Sequence, residues 1–303
     1  EWTEYSYPGF HDFAEQVRVL NSPKPSIGAV YDLVKVYHDP VRLEGALAES
    51  YHWHPPASRH CEFRHNFMHQ SFDGERLGSF DESESHHNVY LYNYDNHIEL
   101  ESWAEFEATE LRVHHSLCLG CPKGPISHQE DSIKGPHYVY NNVVYFLDEH
   151  GESWTQIKSK APNASPGGIH YYHNLIWGGD SLLFWDTRGA LRFRNNILIF
   201  THNQDEKLAD QPLDSDYNRL VNDVPKTWLQ GDHGMFVQAP DDLSFLDVGN
   251  LNFGISAGSP AENKGVALPG YNDGAPGGPD MGPFEAGEDP GIEWPRPRHT
   301  VFT

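Results

Sequence analysis

One short phrase returns along the 303-residue chain and sets most of what it can fold into. It reads Cys61-Glu-Phe-Arg-His-Asn66, Asn88-Val-Tyr-Leu-Tyr-Asn93, Glu110-Leu-Arg-Val-His-His115, His137-Tyr-Val-Tyr-Asn-Asn142, Ile169-His-Tyr-Tyr-His-Asn174 and Leu191-Arg-Phe-Arg-Asn-Asn196. Each copy is an alternating strand rich in aromatic and β-branched residues that ends in Asn or His. The end positions 66, 93, 115, 142, 174 and 196 are 27, 22, 27, 32 and 22 residues apart. One strand per unit at that period is the mark of a solenoid. Asn tolerates a left-handed turn and bonds nearby backbone, so the terminal amides are expected to stack inside the coils. Strands at regular spacing also fit a sandwich, which is the competing architecture.

The pattern, from about Tyr31 to Glu285, resembles the right-handed parallel β-helix proteins, especially secreted polysaccharide-active enzymes. Ser215-Asp-Tyr-Asn218, Gly258-Ser-Pro-Ala-Glu-Asn-Lys-Gly265 and Pro279-Asp-Met-Gly-Pro-Phe-Glu285 are similar to the closing phrases of that group. The resemblance implies an all-β right-handed parallel β-helix with a loop-rich C-terminal segment. The whole chain is read as one domain: a lead-in and first coil over 1–50, regular coils over 51–203, and last coils with the closing segment over 204–303. Little helix is expected beyond a short one over His11–Leu20. The first residues do not read as a cap, so the expectation is a processed chain whose earlier coils are either missing or supplied by another chain, since an open coil edge invites pairing.

The formal net charge of −23 argues against nucleic acid and anionic membrane as partners. No apolar run is long enough to span a bilayer. The expected partner is a polysaccharide or oligosaccharide, outside the cell or in the periplasm. Cys61, Cys118 and Cys121 are odd in number and read as small buried hydrophobes, with a redox pair, disulfide or half zinc site at 118 and 121 as alternatives.

The densest polar stretch runs from His52 to His128. Neighbouring coils lie about 4.8 Å apart, so Asp73, Glu75 and Arg76 are expected beside Asp95, His97, Glu99 and Glu101. Alternation turns Ile98 and Leu100 into the core and the acidic side outward. Oxygen ligands from adjacent strands suit calcium. Asp73-Gly-Glu-Arg-Leu-Gly78 and His97-Ile-Glu-Leu-Glu101 resemble chondroitinase B and related alginate lyases. That resemblance implies a calcium ion on Asp73, Glu99 and Glu101, but where those enzymes carry the catalytic Lys this chain has Phe106. Tyr92-Asn-Tyr-Asp-Asn-His97 is similar to a mannuronan epimerase phrase, implying Tyr92 or His97 as proton-transfer groups oriented by Asp95.

Read from the residues alone, a β-elimination needs a carboxylate neutraliser, a base and an acid, which His97, Arg76 and a Tyr can supply. His115 and Glu75 complete the catalytic candidates. Trp103, Trp53, His54, Arg112 and Lys123 are the candidates for holding substrate. Paired carboxylates among Asp73, Glu75, Asp95 and Glu99 would instead make a hydrolase. His65, His115 and His173 also suit turns and the ladder, and the pairs His86-His87 and His114-His115 suit a transition metal. A polysaccharide lyase is the leading expectation, ahead of a glycoside hydrolase, a uronate epimerase and a non-catalytic carbohydrate-binding solenoid.

Overall fold

A computed structural model describes residues 30–32, 35–36, 58–69, 74–77, 80–93, 96–100, 109–120, 124–129, 135–146, 157–160, 167–178, 183–184, 191–201, 213–222, 230–272 and 277–287. The chain is a right-handed parallel β-helix. Three parallel sheets run its length. Sheet A has eight strands: Val30–Asp32, Glu62–Arg64, Glu84–His86, Arg112–His114, His137–Tyr140, Ile169–Tyr172, Leu191–Arg194 and Leu213–Asp216. Sheet B has nine, from Lys35–Val36 through Val89–Leu91 and Leu117–Leu119 to Met235–Val237. Sheet C has five: Glu75–Arg76, Ile98–Glu99, Ile126–Gln129, Ile157–Lys160 and Leu183–Phe184.

A single local device repeats where sheet A hands over to sheet B. The strand ends in one left-handed residue, followed by a buried polar residue that starts the next strand. The left-handed residues are His65, His87, His115, Asn141, His173, Asn195 and Tyr217, with φ between 50° and 60°. A positive φ costs most residues free energy, and Asn and His are among those that tolerate it. The polar residues that follow form the inner row Asn66, Asn88, Ser116, Asn142, Asn174, Asn196 and Asn218. Along this row the backbone N–H of each residue donates to the side-chain oxygen of the next, across 22, 28, 26, 32, 22 and 22 residues. The Asn side-chain amides in turn donate to carbonyls inside the sheets, as Asn174 does to Val139 and Asn196 to Tyr171, both at 2.8 Å.

This corrects the ladder at two places. Asn88, not Asn93, carries the third coil, and Ser116, not His115, carries the fourth. His115 is the left-handed residue just before it. The amide row therefore runs one coil further than expected, to Asn218.

Inside, register stacks equivalent positions of successive coils in columns. The central core column of sheet A is Phe63, Ser85, Val113, Val139, Tyr171, Phe193 and Ser215. The Tyr171 and Phe193 rings lie parallel at 4.9 Å. Cys61 and Cys118 belong to this core, while Cys121 lies outside the described residues. A second core lies on the outer face of sheet B. There Val89, Leu117, Val143, Leu175, Ile197 and Val221 meet Leu243, Phe253, Ile255, Ala261 and Met281. The described residues of 240–261 and 281–286 thus pack along the outside of sheet B, and the outer face of sheet A is polar. The expected helix over His11–Leu20 lies outside the described residues, and no described helix is long and apolar enough to cross a membrane.

Candidate functional site

The stretches predicted to form the site do meet. Glu75 pairs with Ile98 and Arg76 with Glu99 in sheet C. Their orientation differs from the expectation. Glu75 shares the inward face with Ile98 and is fully buried, as is His97; Glu99 keeps 2% of its surface exposed. A Glu75 carboxylate oxygen accepts from Ser85 Oγ at 2.5 Å, and burial pushes its pKa up to about 7. The His97 ring packs 5.8 Å from Tyr90, and burial lowers its pKa to about 3. Both are interior groups out of a polymer's reach, so the outward stripe is corrected at His97, and Glu75 is corrected as a catalytic candidate. Alternation failed because the interior of this solenoid admits polar side chains beside its aromatics.

Tyr92 ends a sheet B strand in a left-handed turn and is 47% exposed. Its ring lies against Gly120, where φ is +60° and a Cβ would stand 2.6 Å from the ring, so only glycine fits. Asp73, Asp95, Glu101, Trp103, Trp53, His54 and Lys123 lie outside the described residues, as does the side chain of Arg76. The calcium set Asp73, Glu99 and Glu101 is therefore represented by Glu99 alone.

The structure assembles a different cluster on the outer face of sheet A, from residues the sequence showed only as scattered pairs. Two outward columns run up this face. One holds Glu62, Glu84, Arg112, Tyr138, His170 and Arg192, the other Arg64, His86, His114, Tyr140, Tyr172 and Arg194. The left-handed column of turns stands beside the second. In the third coil, His86 Nε2 lies 2.9 Å from Glu62 Oε1, and its Nδ1 lies 2.6 Å from His87 Nδ1. The fourth coil repeats the pattern. His114 Nε2 is bonded to Glu84, its Nδ1 lies 2.6 Å from His115 Nδ1, and His115 Nε2 lies 3.3 Å from the Asn141 amide. The two sets stack, His86 on His114 at 5.0 Å and His87 on His115 at 5.1 Å, each within 3° of parallel.

The donors follow from the acceptors. A carboxylate only accepts, so His114 donates from Nε2 to Glu84 and its Nδ1 holds a lone pair. His115 must then donate from Nδ1 to His114, and its Nε2 accepts from Asn141. By the same logic His86 donates to Glu62, and His87 donates to His86. The lone pair on His87 Nε2 has no hydrogen bond among the described residues. Each of these two coils thus carries a carboxylate–imidazole–imidazole relay; the outer lone pair is open at His87, and at His115 it accepts from Asn141.

Burial keeps the outer imidazoles of the relays neutral. Burial, then the neighbouring imidazoles, lowers the pKa of His87 to about 4 and of His115 to about 3. Burial also lowers His114, against the pull of Glu84, while the hydrogen bond from His114 lowers Glu84. Above about pH 5 the outer imidazoles, His87 and His115, are therefore neutral.

Arg112 shares the strand and the face with His114. Its one described ion pair, to Glu110 at 3.9 Å between half-exposed side chains, is weak. Its charge acts on Glu84, His114, Tyr140 and Tyr271. The Tyr140 ring stacks on His114 at 4.5 Å, and burial pushes its phenol up to about 12, so the group keeps its proton.

No family model matches the chain. No curated protein matches it either. Among solved structures, the crystal structure of pectate lyase Pel9A overlaps 75% of this chain and 66% of that chain, at 13% identity and a TM-score of 0.44. The complex structure of XylC with xylose overlaps 58% of this chain and 38% of that one, at 13% identity and a TM-score of 0.30. The chain spans less than two thirds of either structure's length, and the fold assignment above rests on its own strand pairing and ladder. Of the residues singled out in the sequence, Arg112 and His115 belong to the relay face, as do His86, His87 and His114, which were read there as metal-binding pairs. Glu62, Glu84 and Tyr140 join them through register. The legible signal was an outward His followed by a left-handed His in two successive coils, each with an outward Glu one coil earlier.

Proposed function

We propose that the protein binds a carbohydrate polymer along the outer face of sheet A and cleaves it by β-elimination next to a uronate carboxylate. The observation that carries this reading is the pair of stacked relays ending in neutral imidazoles, beside a loosely paired arginine and a protonated tyrosine. Arg112 neutralises the substrate carboxylate, which acidifies the neighbouring C–H. A relay imidazole, His87 foremost and His115 beside it, takes that proton, while Glu62 or Glu84 stabilises the imidazolium through the inner histidine. The electron pair of the broken C–H bond forms a C=C bond. The glycosidic C–O bond breaks, and Tyr140 gives its proton to the leaving oxygen. Proton return from imidazolium to tyrosinate through solvent closes the cycle.

The roles expected of His97, Arg76 and a Tyr thus pass to His87 with His115, Arg112 and Tyr140. No step requires calcium; an ion near Glu99 would serve the sheet C side of the coils. Such a protein would meet its polymer outside the cell.

A panel of uronate-containing and neutral glycans, followed by ultraviolet absorbance of unsaturated products and by new reducing ends, tests the proposal. Absorbance with new ends on an acidic glycan supports it. New ends without absorbance support hydrolysis, and binding without either supports a carbohydrate-binding solenoid.

A further inference from the structure

The C-terminal segment does more than cover sheet B. Its residues 265–272 cross the turn column and end on the outer face of sheet A. Val266 N–H donates to Asn195 Oδ1 at 2.8 Å, and the Asn195 amide donates back to the Val266 carbonyl at 2.8 Å. The Asn272 amide donates to His173 Nε2 at 2.7 Å, while its oxygen accepts from Leu268 N–H at 2.7 Å. Buried His173 is also tied through Nδ1 to the Gly282 carbonyl at 3.1 Å. The same left-handed column that offers His87 and His115 in the third and fourth coils is therefore occupied by protein in the sixth and seventh.

Tyr271 completes this barrier. Its ring lies 5.9 Å from Tyr138, 4.9 Å from Tyr140 and 5.1 Å from Tyr172. Those three side chains span both outward columns over two successive coils. Tyr271 thus stands across the width of the face, within about two coil spacings (~10 Å) of the His115 relay. It also touches Tyr140, the proposed acid.

We infer that Tyr271 is a specificity-determining residue that closes one end of the binding face, so that the protein works from a chain end and releases short products. This rests on the reading of the relay face as the cleavage site. A polymer lying along the columns passes the relays and stops at Tyr271, with space beyond the base for a couple of sugar rings at most. An open face would let a chain run on towards Arg192 and Arg194 and be cut at random.

The test uses the full chain and an acidic polysaccharide it cleaves, labelled at one end or the other. The expected result for the wild-type protein is early release of short unsaturated products carrying label from one end only, with the remaining polymer shortening slowly. Tyr271→Ala is expected to shift the first products to longer, mixed sizes and to speed the fall in viscosity per bond broken. Random mid-chain cutting by the wild-type protein from the first time point overturns the inference and leaves the cleavage reading standing. Failure of the folded wild-type protein to cleave any glycan of the panel removes that reading and the inference with it. The end-label result needs no variant, so a misfolded Tyr271→Ala does not rescue the inference.

Discussion

Substituting Glu75→Gln should make the protein more stable at alkaline pH and remove one component of its pH dependence. Glu75 is fully buried, and only Oε2 has a described hydrogen bond, from Ser85 Oγ at 2.5 Å. Desolvation raises its pKa from 4.5 to about 7. Between these values the folded state holds a proton that the unfolded state has released, so stability falls as pH rises through the window and levels off above it. At 1.36 kcal/mol per unit the full penalty is about 3 kcal/mol, of which about 2.5 kcal/mol accrues between pH ~5 and pH ~9. Glutamine does not titrate, keeps the shape and can still accept from Ser85. Urea unfolding of both proteins at those two pH values gives the measurement as a difference of differences, in which all other titrating groups cancel. The variant should gain about 2.5 kcal/mol on the wild type from the lower to the higher pH. An unchanged difference would refute the placement of an ionising Glu75 inside the coils.

Asn174→Ala should cost about 3 kcal/mol or more in urea unfolding, because it strips partners from Asn142 N–H, the Val139 carbonyl and Asn196 Oδ1 in the buried row; a loss under about 1 kcal/mol would contradict the ladder. Fully buried His97, His128 and His137 each have their pKa lowered to about 3 by burial, so the unfolded chain binds protons below pH ~6.5 that the folded chain refuses. Each then removes about 1.4 kcal/mol of stability per pH unit on acidification, outweighing the opposite effect of Glu75. Melting temperature should therefore fall steeply from pH ~6.5 to pH ~4.5, and a flat or rising curve would contradict the neutral buried imidazoles.

The coiled fold was legible because its two requirements are local and periodic: a residue that accepts a left-handed turn, then a polar side chain that satisfies the coil's own backbone. The phase slipped at Asn93 and His115 for a physical reason. Sheet B strands also end in left-handed turns, as Tyr92 shows, so Asn93 imitates a ladder residue, and Ser116 performs the ladder's task without being an amide. The site was less legible because alternation distinguishes inside from outside only when the inside is apolar. Glu75, His97, His128 and His137 are all interior here. The relays join residues from successive coils, His86 to Glu62 and His114 to Glu84 across 24 and 30 positions, so they exist only once the register is known. Tyr271 had no sequence signal at all, since it reaches sheet A from a segment that follows the coils.

The most direct measurement compares cleavage of an acidic glycan, followed by ultraviolet absorbance, for the wild-type protein and for the double variant His87→Ala, His115→Ala. With the ladder and core untouched and the circular dichroism unchanged, the double variant should lose about 10²-fold to 10⁴-fold in kcat, the contribution of a positioned proton-transfer group. Activity within a few-fold of wild type in a folded double variant would show that the stacked relays are not where the proton goes.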